Sequence, residues 1–172
     1  LNCHDPDTTE ERYMAVIHCK TAKLFEAAAR LGAVLAGWPR DKELALGRYG
    51  LHLGMAFQLI DDILDYRASS AELGKNIGDD LAEGKPTLPL IYALRHGAPE
   101  EAQIIRAAIE QGGLDHLDLV TRTIESTGAL DYTARLAVRE AEQAITNLAA
   151  LPDSPAKDAL ASMVRFAVNR RY

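Results

Sequence analysis

Apolar and small residues recur along most of the chain at intervals of three and four positions, which is the period of an amphipathic α-helix. The first such stretch covers residues 10–37 and the second covers residues 40–66, with Trp38-Pro39 as the break between them. No window alternates apolar and polar residues with the period of two that a half-buried strand requires. The pattern therefore predicts an all-α protein.

Proline and glycine divide the remaining chain into further helices. Thr87-Leu88-Pro89 and Ser154-Pro155 place proline in a first helical turn, where its missing N–H is not needed. Residues 68–86 are polar and rich in glycine, and they are predicted to form a loop or a broken helix. The predicted helices of this part of the chain cover residues 87–97, 99–112, 114–127, 130–150 and 154–172.

Carboxylates are concentrated at the C-terminal end of the second helix. Four polar residues fall within an arc of roughly 100° on that helix: Gln58, Asp61, Asp62 and Asp65. Like charges one turn apart repel, their burial costs free energy, and the helix dipole is negative at this end. A divalent cation would remove the conflict, and hard oxygen ligands suit Mg²⁺, which shares its shell with water and phosphates. A solvated acidic patch is the alternative.

Lysine occurs at three places that suit an anionic ligand. Lys20 lies within the first, mostly apolar helix beside Thr21, which can bend a helix by bonding to a carbonyl one turn earlier. Gly74-Lys75 and Gly84-Lys85 lie in the polar segment, where glycine beside lysine suits a lid that places ammonium groups on a diphosphate. The alternatives are that Lys20 extends to solvent and that the segment is an ordinary solvated loop.

Glycine forms a stripe on one side of the second helix, at positions Gly47, Gly50 and Gly54. Glycine in a helix interior costs about 0.5–1 kcal/mol relative to alanine. The stripe therefore predicts the close approach of a neighbouring helix.

Composition and charge exclude several classes of function. A net charge of −6 and a pI near 5.4 argue against a nucleic-acid-binding surface. Cys3 and Cys19 form no disulfide framework, and the composition fits a reducing cytoplasm. The most apolar run, residues 24–38, is too short to cross a bilayer and is interrupted by charges. The chain begins with Leu1 rather than methionine, which suggests a sequence entered in the middle.

Together these features resemble the trans-isoprenyl diphosphate synthases and, within that family, the long-chain bacterial octaprenyl diphosphate synthases. The resemblance extends over residues 1–172 and is carried by the order and spacing of several short motifs. These are Lys20-Thr21-Ala22, Leu24-Phe25, Tyr49-Gly50, Gly54-x-Ala56-Phe57-Gln58-x-x-Asp61-Asp62-x-x-Asp65-Tyr66, Gly74-Lys75, Gly78-Asp79-Asp80-Leu81 and Glu83-Gly84-Lys85-Pro86-Thr87-Leu88-Pro89-Leu90.

The resemblance implies the isoprenoid synthase fold, in which helices surround a central cavity, and head-to-tail prenyl transfer. An allylic diphosphate would be ionised with the help of Mg²⁺, and the double bond of isopentenyl diphosphate would attack the allylic cation. A proton would then be lost and diphosphate would leave. The implied product is a long-chain polyprenyl diphosphate, octaprenyl by the closest resemblance, for quinone side chains. A cytoplasmic homodimer without a transmembrane segment, in peripheral contact with a membrane for product release, is also implied.

The resemblance assigns the metal site to the aspartates. Asp61 would be the principal Mg²⁺ ligand, and Asp62 and Asp65 would support it directly or through water. This chemistry needs concentrated positive charge to stabilise the leaving diphosphate and no protein nucleophile.

The resemblance also assigns the residues that bind the two substrates. Lys20 and Lys75 would hold the allylic diphosphate, and Lys85 would bind or shield diphosphate as the loop closes. Thr21 and Gln58 would stabilise the allylic cation through their dipoles, and Phe57 would pack near isopentenyl diphosphate. The catalytic roles thus fall on Lys20, Thr21, Gln58 and Asp61.

Two parts of the family pattern do not occur in these 172 residues. The family has a first aspartate-rich motif followed by two arginines, and an upstream Gly-Lys-x-x-Arg that binds isopentenyl diphosphate. The only Arg-Arg pair here, Arg170-Arg171, is at the C-terminus. Residues 1–172 are therefore predicted to be the C-terminal half of one all-α domain, which cannot turn over alone and which self-associates through apolar faces left uncovered.

Three other functions compete with this interpretation. A non-catalytic, synthase-like subunit would be expected to have lost the aspartates and lysines that are intact here. A terpene cyclase shares the architecture but replaces the aspartate form of the motif with Asn/Asp-Asp-x-x-Ser-x-x-x-Glu. A four-helix carboxylate metalloprotein would carry Glu-x-x-His, which does not occur.

Overall fold

The structure is a computed structural model that describes residues 3–67 and 78–170. Within these residues the chain forms helices and no β-strand, which confirms the all-α prediction. The α-helices of the described residues are α1 (Glu10–Ile17), α2 (Lys23–Leu35), α3 (Arg40–Arg67), α4 (Asp79–Ala82), α5 (Leu88–His96), α6 (Pro99–Gln111), α7 (Leu117–Ser126), α8 (Ala129–Asn147) and α9 (Pro155–Val168).

The first predicted helix is continuous but not α-helical throughout. His18–Ala22 form a π-helical segment that joins α1 to α2. Thr21 lies in this segment, and its hydroxyl donates to Oε1 of Gln58 at 2.8 Å. Because the hydroxyl has a single proton to give, this bond to α3 takes the place of the bond to a carbonyl of its own helix, which the sequence left open as one alternative.

Most helix ends follow the proline and capping signals. Ser154 caps α9 by accepting a hydrogen bond from the backbone N–H of Lys157 at 3.2 Å. α7 begins at Leu117, three residues later than the pattern predicts. The reason is the turn before it: Gly113 has φ = +88°, and the N–H of Leu117 donates to the carbonyl of Leu114 at 3.0 Å.

The described residues divide into two compact units. One contains residues 3–16, 61–67 and 78–134, and the other contains residues 17–60 and 135–170. Each has its own hydrophobic core. The first core consists of Tyr66, Leu81, Leu90, Ala93, Ile105, Ala108, Ile109, Val120, Ile124 and Ala129. The second consists of Ala33, Leu46, Tyr49, Leu53, Ala56, Ala141, Ala144, Leu148, Leu151, Val164 and Ala167.

The glycine stripe of α3 allows a neighbouring helix to approach closely, as predicted. A Cβ atom added at Gly54 would lie 2.6 Å from Cα of Ala22, and one at Gly50 would meet the backbone carbonyl of Phe25. Both neighbours are backbone atoms that cannot move aside as a flexible side chain can. The stripe therefore sets the distance between α3 and the helix formed by the π-helical segment and α2.

Several large apolar side chains on α2 are exposed, among them Leu24, Leu31 and Leu35. On α9, Met163 is also exposed, whereas Val164 beside it is buried. Across residues 3–67 and 78–170, no helix combines the length with the apolar run that a membrane span requires.

Candidate active site

The aspartates at the end of α3 differ in their exposure. Asp61 and Asp65 are half-buried, whereas Asp62 is buried with 2% of its surface exposed. Oδ2 of Asp62 accepts a hydrogen bond of 2.5 Å from the hydroxyl of Tyr13, a buried residue of α1. The structure thus directs Asp62 toward α1.

Tyr13 is surrounded by negative charge. Burial raises the pKa of its phenol well above the usual value, and the charges of Asp62, Asp80 and Asp61 and the hydrogen bond to Asp62 raise it further. The phenol therefore keeps its proton and acts as a permanent hydrogen-bond donor to Asp62.

Asp65 lies against the first turn of α4. The backbone N–H of Asp80 donates to Oδ2 of Asp65 at 3.2 Å. Burial, together with the negative charges of Asp80 and Asp79, raises the pKa of Asp65 to about 6, although backbone hydrogen bonds from the same two residues oppose the shift. The charged form of Asp65 is thus disfavoured mainly by burial and further by the two aspartates of α4.

Lys85 supplies positive charge beside Asp80, the residue whose backbone N–H contacts Asp65. Its Nζ lies 2.9 Å from Oδ1 of Asp80 and 2.7 Å from Oε2 of Glu83. Burial lowers the pKa of Lys85, but the hydrogen bonds to Glu83 and Asp80 and the charges of both carboxylates outweigh burial and raise it. The ammonium predicted to bind diphosphate is therefore held by two carboxylates in this structure.

The donor chemistry of this end of α3 fits a hard divalent cation. The side chains are carboxylates, and a cation would favour the charged form of Asp65, whose pKa is raised first by burial and then by the charges of Asp80 and Asp79. Among the described residues, no three His, Cys, Asp or Glu side chains lie close enough together to hold a metal ion. The assignment of Asp61, Asp62 and Asp65 as metal ligands therefore stays a prediction.

Replacing Asp65 with asparagine should stabilise the metal-free protein at neutral and higher pH. The pKa of Asp65 is about 6 in the folded state and 3.8 ordinarily. The free energy of unfolding therefore falls as the pH rises from 3.8 to about 6, and the full loss is present above that range. We expect Asp65→Asn to gain about 1 kcal/mol at pH 8, a value reduced for solvent screening of a half-exposed group, and nothing below pH of about 4.

Urea unfolding at several pH values without divalent metal measures this effect. Asp41→Asn, an exposed position in the first turn of the same helix, is the control for losing one charge. Equal stability of Asp65→Asn and the unsubstituted protein at pH 8 would contradict the raised pKa.

The other predicted residues lie in the second unit. Lys20 is exposed, and Thr21 is hydrogen-bonded to Gln58 as described above. The ring of Phe57 lies 5.6 Å from that of Phe25, and the guanidinium of Arg170 stacks 4.1 Å above it. The structure thus brings together Thr21 and Gln58, two of the residues that the resemblance assigns to the cation.

Three residues around these groups were not identified from the sequence. Tyr13 gave no signal, because its partner is 49 residues away. Asp80 was named in the polar segment from the sequence, but not as a neighbour of Asp65. The position of Asp79-Asp80 between two Gly-Lys pairs could have indicated that these carboxylates belong to the site. Arg170 also donates to the carbonyl of Phe57 at 3.1 Å. Lys75 lies outside the described residues.

Comparisons with known proteins agree with the resemblance. The Polyprenyl synthetase family matches residues 1–125. The chain is 53% identical over 171 residues to octaprenyl diphosphate synthase of Escherichia coli (strain K12), which covers 99% of this chain and 53% of the relative. It is 48% identical over 167 residues to all-trans-nonaprenyl-diphosphate synthase (geranyl-diphosphate specific) of Rhodobacter capsulatus, covering 97% of this chain and 51% of the relative.

A solved structure shares the fold. Polyprenyl synthase from Caulobacter crescentus CB15, complexed with calcium and isoprenyl diphosphate, matches with a TM-score of 0.92 and 42% identity over 100% of this chain and 53% of that chain. The predicted fold class is therefore confirmed. The chain spans about half the length of the curated relatives it matches. Because the family match covers well over half of its residues, this chain belongs to the polyprenyl synthetase family.

Proposed function

We propose that this chain carries part of the active site of a Mg²⁺-dependent trans-prenyltransferase, which condenses an allylic diphosphate with isopentenyl diphosphate. The observation that supports the proposal most directly is the position of Asp65 at the end of α3, where burial, together with the charges of Asp80 and Asp79, raises its pKa to about 6. A related polyprenyl synthase was solved in complex with calcium, a divalent cation, and isoprenyl diphosphate.

Mg²⁺ would be held by Asp61, with Asp62 and Asp65 in support, and would supply positive charge against the diphosphate that leaves. The protein contributes a set of oxygen ligands on one rigid helix. Because the hydroxyl of Tyr13 on α1 donates a hydrogen bond to Asp62, the carboxylate of Asp62 has a fixed partner when the cation is absent.

The lysines would bind the diphosphate groups. Lys20 is exposed and extends from the π-helical segment, and Lys75 is assigned with it to the allylic diphosphate. Lys85 would exchange its contacts with Asp80 and Glu83 for diphosphate oxygens. An ammonium held by carboxylates before substrate arrives would not have to be ordered at the moment of binding.

Thr21 and Gln58 would face the allylic cation. The hydroxyl of Thr21 gives its proton to Oε1 of Gln58, so the Thr21 oxygen presents lone pairs to any other neighbour. The allylic C–O bond would break to give diphosphate and the allylic cation, and the double bond of isopentenyl diphosphate would attack this cation to form the new C–C bond. The resulting cation would lose a proton from an adjacent carbon to the released diphosphate, which leaves the new double bond in the product. Oriented dipoles stabilise the carbocation without reacting with it. Phe57 would pack against isopentenyl diphosphate.

The proposed product is a long-chain polyprenyl diphosphate, octaprenyl by similarity to the Escherichia coli relative, for quinone side chains. A relative of nearly equal identity is a nonaprenyl synthase, so the length must be measured. We also propose a cytoplasmic homodimer, because the exposed leucines of α2 offer an apolar surface for association. Sedimentation of the protein tests that part of the proposal.

The proposed function is tested on the intact gene product with Mg²⁺, an allylic diphosphate and labelled isopentenyl diphosphate. We expect labelled polyprenyl products, separated by length after dephosphorylation, and no product in the presence of a chelator. We expect the 172-residue chain by itself to give none. If the intact gene product makes no prenyl product with any allylic primer, it is not a synthase, and a non-catalytic subunit becomes the better interpretation.

A further inference from the structure

Asp62 is a buried carboxylate with a built-in hydrogen-bond donor. Both Asp62 and Tyr13 expose 2% of their surface, and the two side chains meet at 2.5 Å. Removing a carboxylate from water is unfavourable unless donors replace its solvent shell. The phenol does so here, and it also fixes the direction in which the carboxylate points.

The position of α1 does not depend on this one bond. Glu10 of α1 accepts a hydrogen bond from the hydroxyl of Tyr132 at 2.9 Å, and Asp7 just before the helix pairs with Arg106 at 2.7 Å. The backbone N–H of His4 donates to the carbonyl of Gly84 at 2.7 Å. These contacts hold α1 in place without the Tyr13–Asp62 bond. Removing the Tyr13 hydroxyl is therefore expected to change the orientation of Asp62 and to leave α1 where it is.

We propose that Tyr13 is a positioning residue, which holds the carboxylate of Asp62 in the orientation that cation binding at the end of α3 requires. Asp62 is the neighbour of Asp61 and lies three positions before Asp65 on the same helix, so it belongs to the proposed set of metal ligands. Tyr13 acts through its hydrogen bond to Asp62. The inference rests on the proposed function and extends its metal site to a residue of α1.

The test is the affinity of the intact gene product for Mn²⁺, measured as free Mn²⁺ by electron paramagnetic resonance. Tyr13→Phe removes the hydroxyl and keeps the ring. Tyr49→Phe is the matched control, because Tyr49 is equally buried and its hydroxyl donates to the carbonyl of Leu160 at 3.0 Å, away from the aspartates. We expect Tyr13→Phe to weaken binding about tenfold and Tyr49→Phe to leave it unchanged.

Asp62→Asn and the double variant Tyr13→Phe/Asp62→Asn provide a second comparison. Both carry a neutral side chain at position 62, so removing the Tyr13 hydroxyl does not leave a buried carboxylate without this donor. If Tyr13 acts through Asp62, these two proteins bind Mn²⁺ equally. A further tenfold loss in the double variant overturns the proposal, and so does an equal loss in Tyr13→Phe and Tyr49→Phe. Unfolding in urea, measured beside binding, separates a loss of affinity from a loss of fold.

These outcomes are distinct from those of the proposed function. If the intact gene product carries out prenyl transfer but Tyr13→Phe leaves its Mn²⁺ affinity unchanged, the positioning role alone is overturned. Saturable Mn²⁺ binding that Tyr13→Phe weakens, in a protein that forms no prenyl product, supports the positioning role and overturns the proposed function. A gene product that binds no Mn²⁺ overturns both.

Discussion

Replacing Asp61 with asparagine is expected to lower the rate of prenyl transfer by the intact gene product about 10²–10³-fold. Asp61 is half-buried at the carboxylate-rich end of α3 and is the principal metal ligand in the proposed function. Asparagine has the same shape but no charge, so it cannot balance a divalent cation. The measurement is the initial rate of incorporation of labelled isopentenyl diphosphate at saturating substrate.

Asp41→Asn is the control for this prediction as well. It is the same substitution on the same helix, at an exposed position in the first turn, far along α3 from the cluster. We expect nearly full activity from it. A rate for Asp61→Asn within a fewfold of the Asp41→Asn rate would mean that Asp61 is not part of the metal site.

Replacing Gly54 with alanine is expected to destabilise the protein by about 1–3 kcal/mol. The added methyl group would lie 2.6 Å from Cα of Ala22, so α3 and the π-helical segment would have to separate. Because Ala22 follows Thr21, the hydrogen bond from Thr21 to Gln58 would be strained as well. Urea unfolding monitored by circular dichroism measures the loss.

Gly32→Ala provides a control of opposite sign. Gly32 lies inside α2, and a Cβ atom there would meet nothing within 4 Å. Alanine should stabilise that helix by about 0.5–1 kcal/mol, since it restricts the unfolded chain more than glycine does. If both substitutions raised stability, the close approach of the two helices would be wrong.

The helices were largely predictable because their causes are local. Apolar spacing, the proline of the first turn in α5, α6 and α9, and capping by Ser154 each act within a few residues. The stripe at Gly50 and Gly54 even indicated a tertiary contact, since glycine in a helix interior is unfavourable without a reason. The start of α7 was missed because a turn through Gly113 replaced the first turn of the pattern.

The candidate site was predictable only in part, because its contacts join distant positions. The face that carries Asp61, Asp62 and Asp65 follows from helical spacing alone. The burial of Asp62 against Tyr13 does not, and neither does the contact of Asp80 with Asp65, since both depend on how separate helices dock. Sequence spacing identified which groups carry charge, and tertiary packing decided which of them are exposed.

The contacts of the loop before α1 bear on where a shortened version of this protein can begin. His4 has φ = +65°, its N–H donates to Gly84, and its Nδ1 lies 3.2 Å from the carbonyl oxygen of Ile109. An expressed piece that began at α1 would keep every motif residue and yet lose this anchor on the segment that carries Lys85. One that began after Tyr13 would keep Asp62 without its phenol donor. A choice of boundaries based on motif positions alone would therefore remove parts of the site that no motif marks.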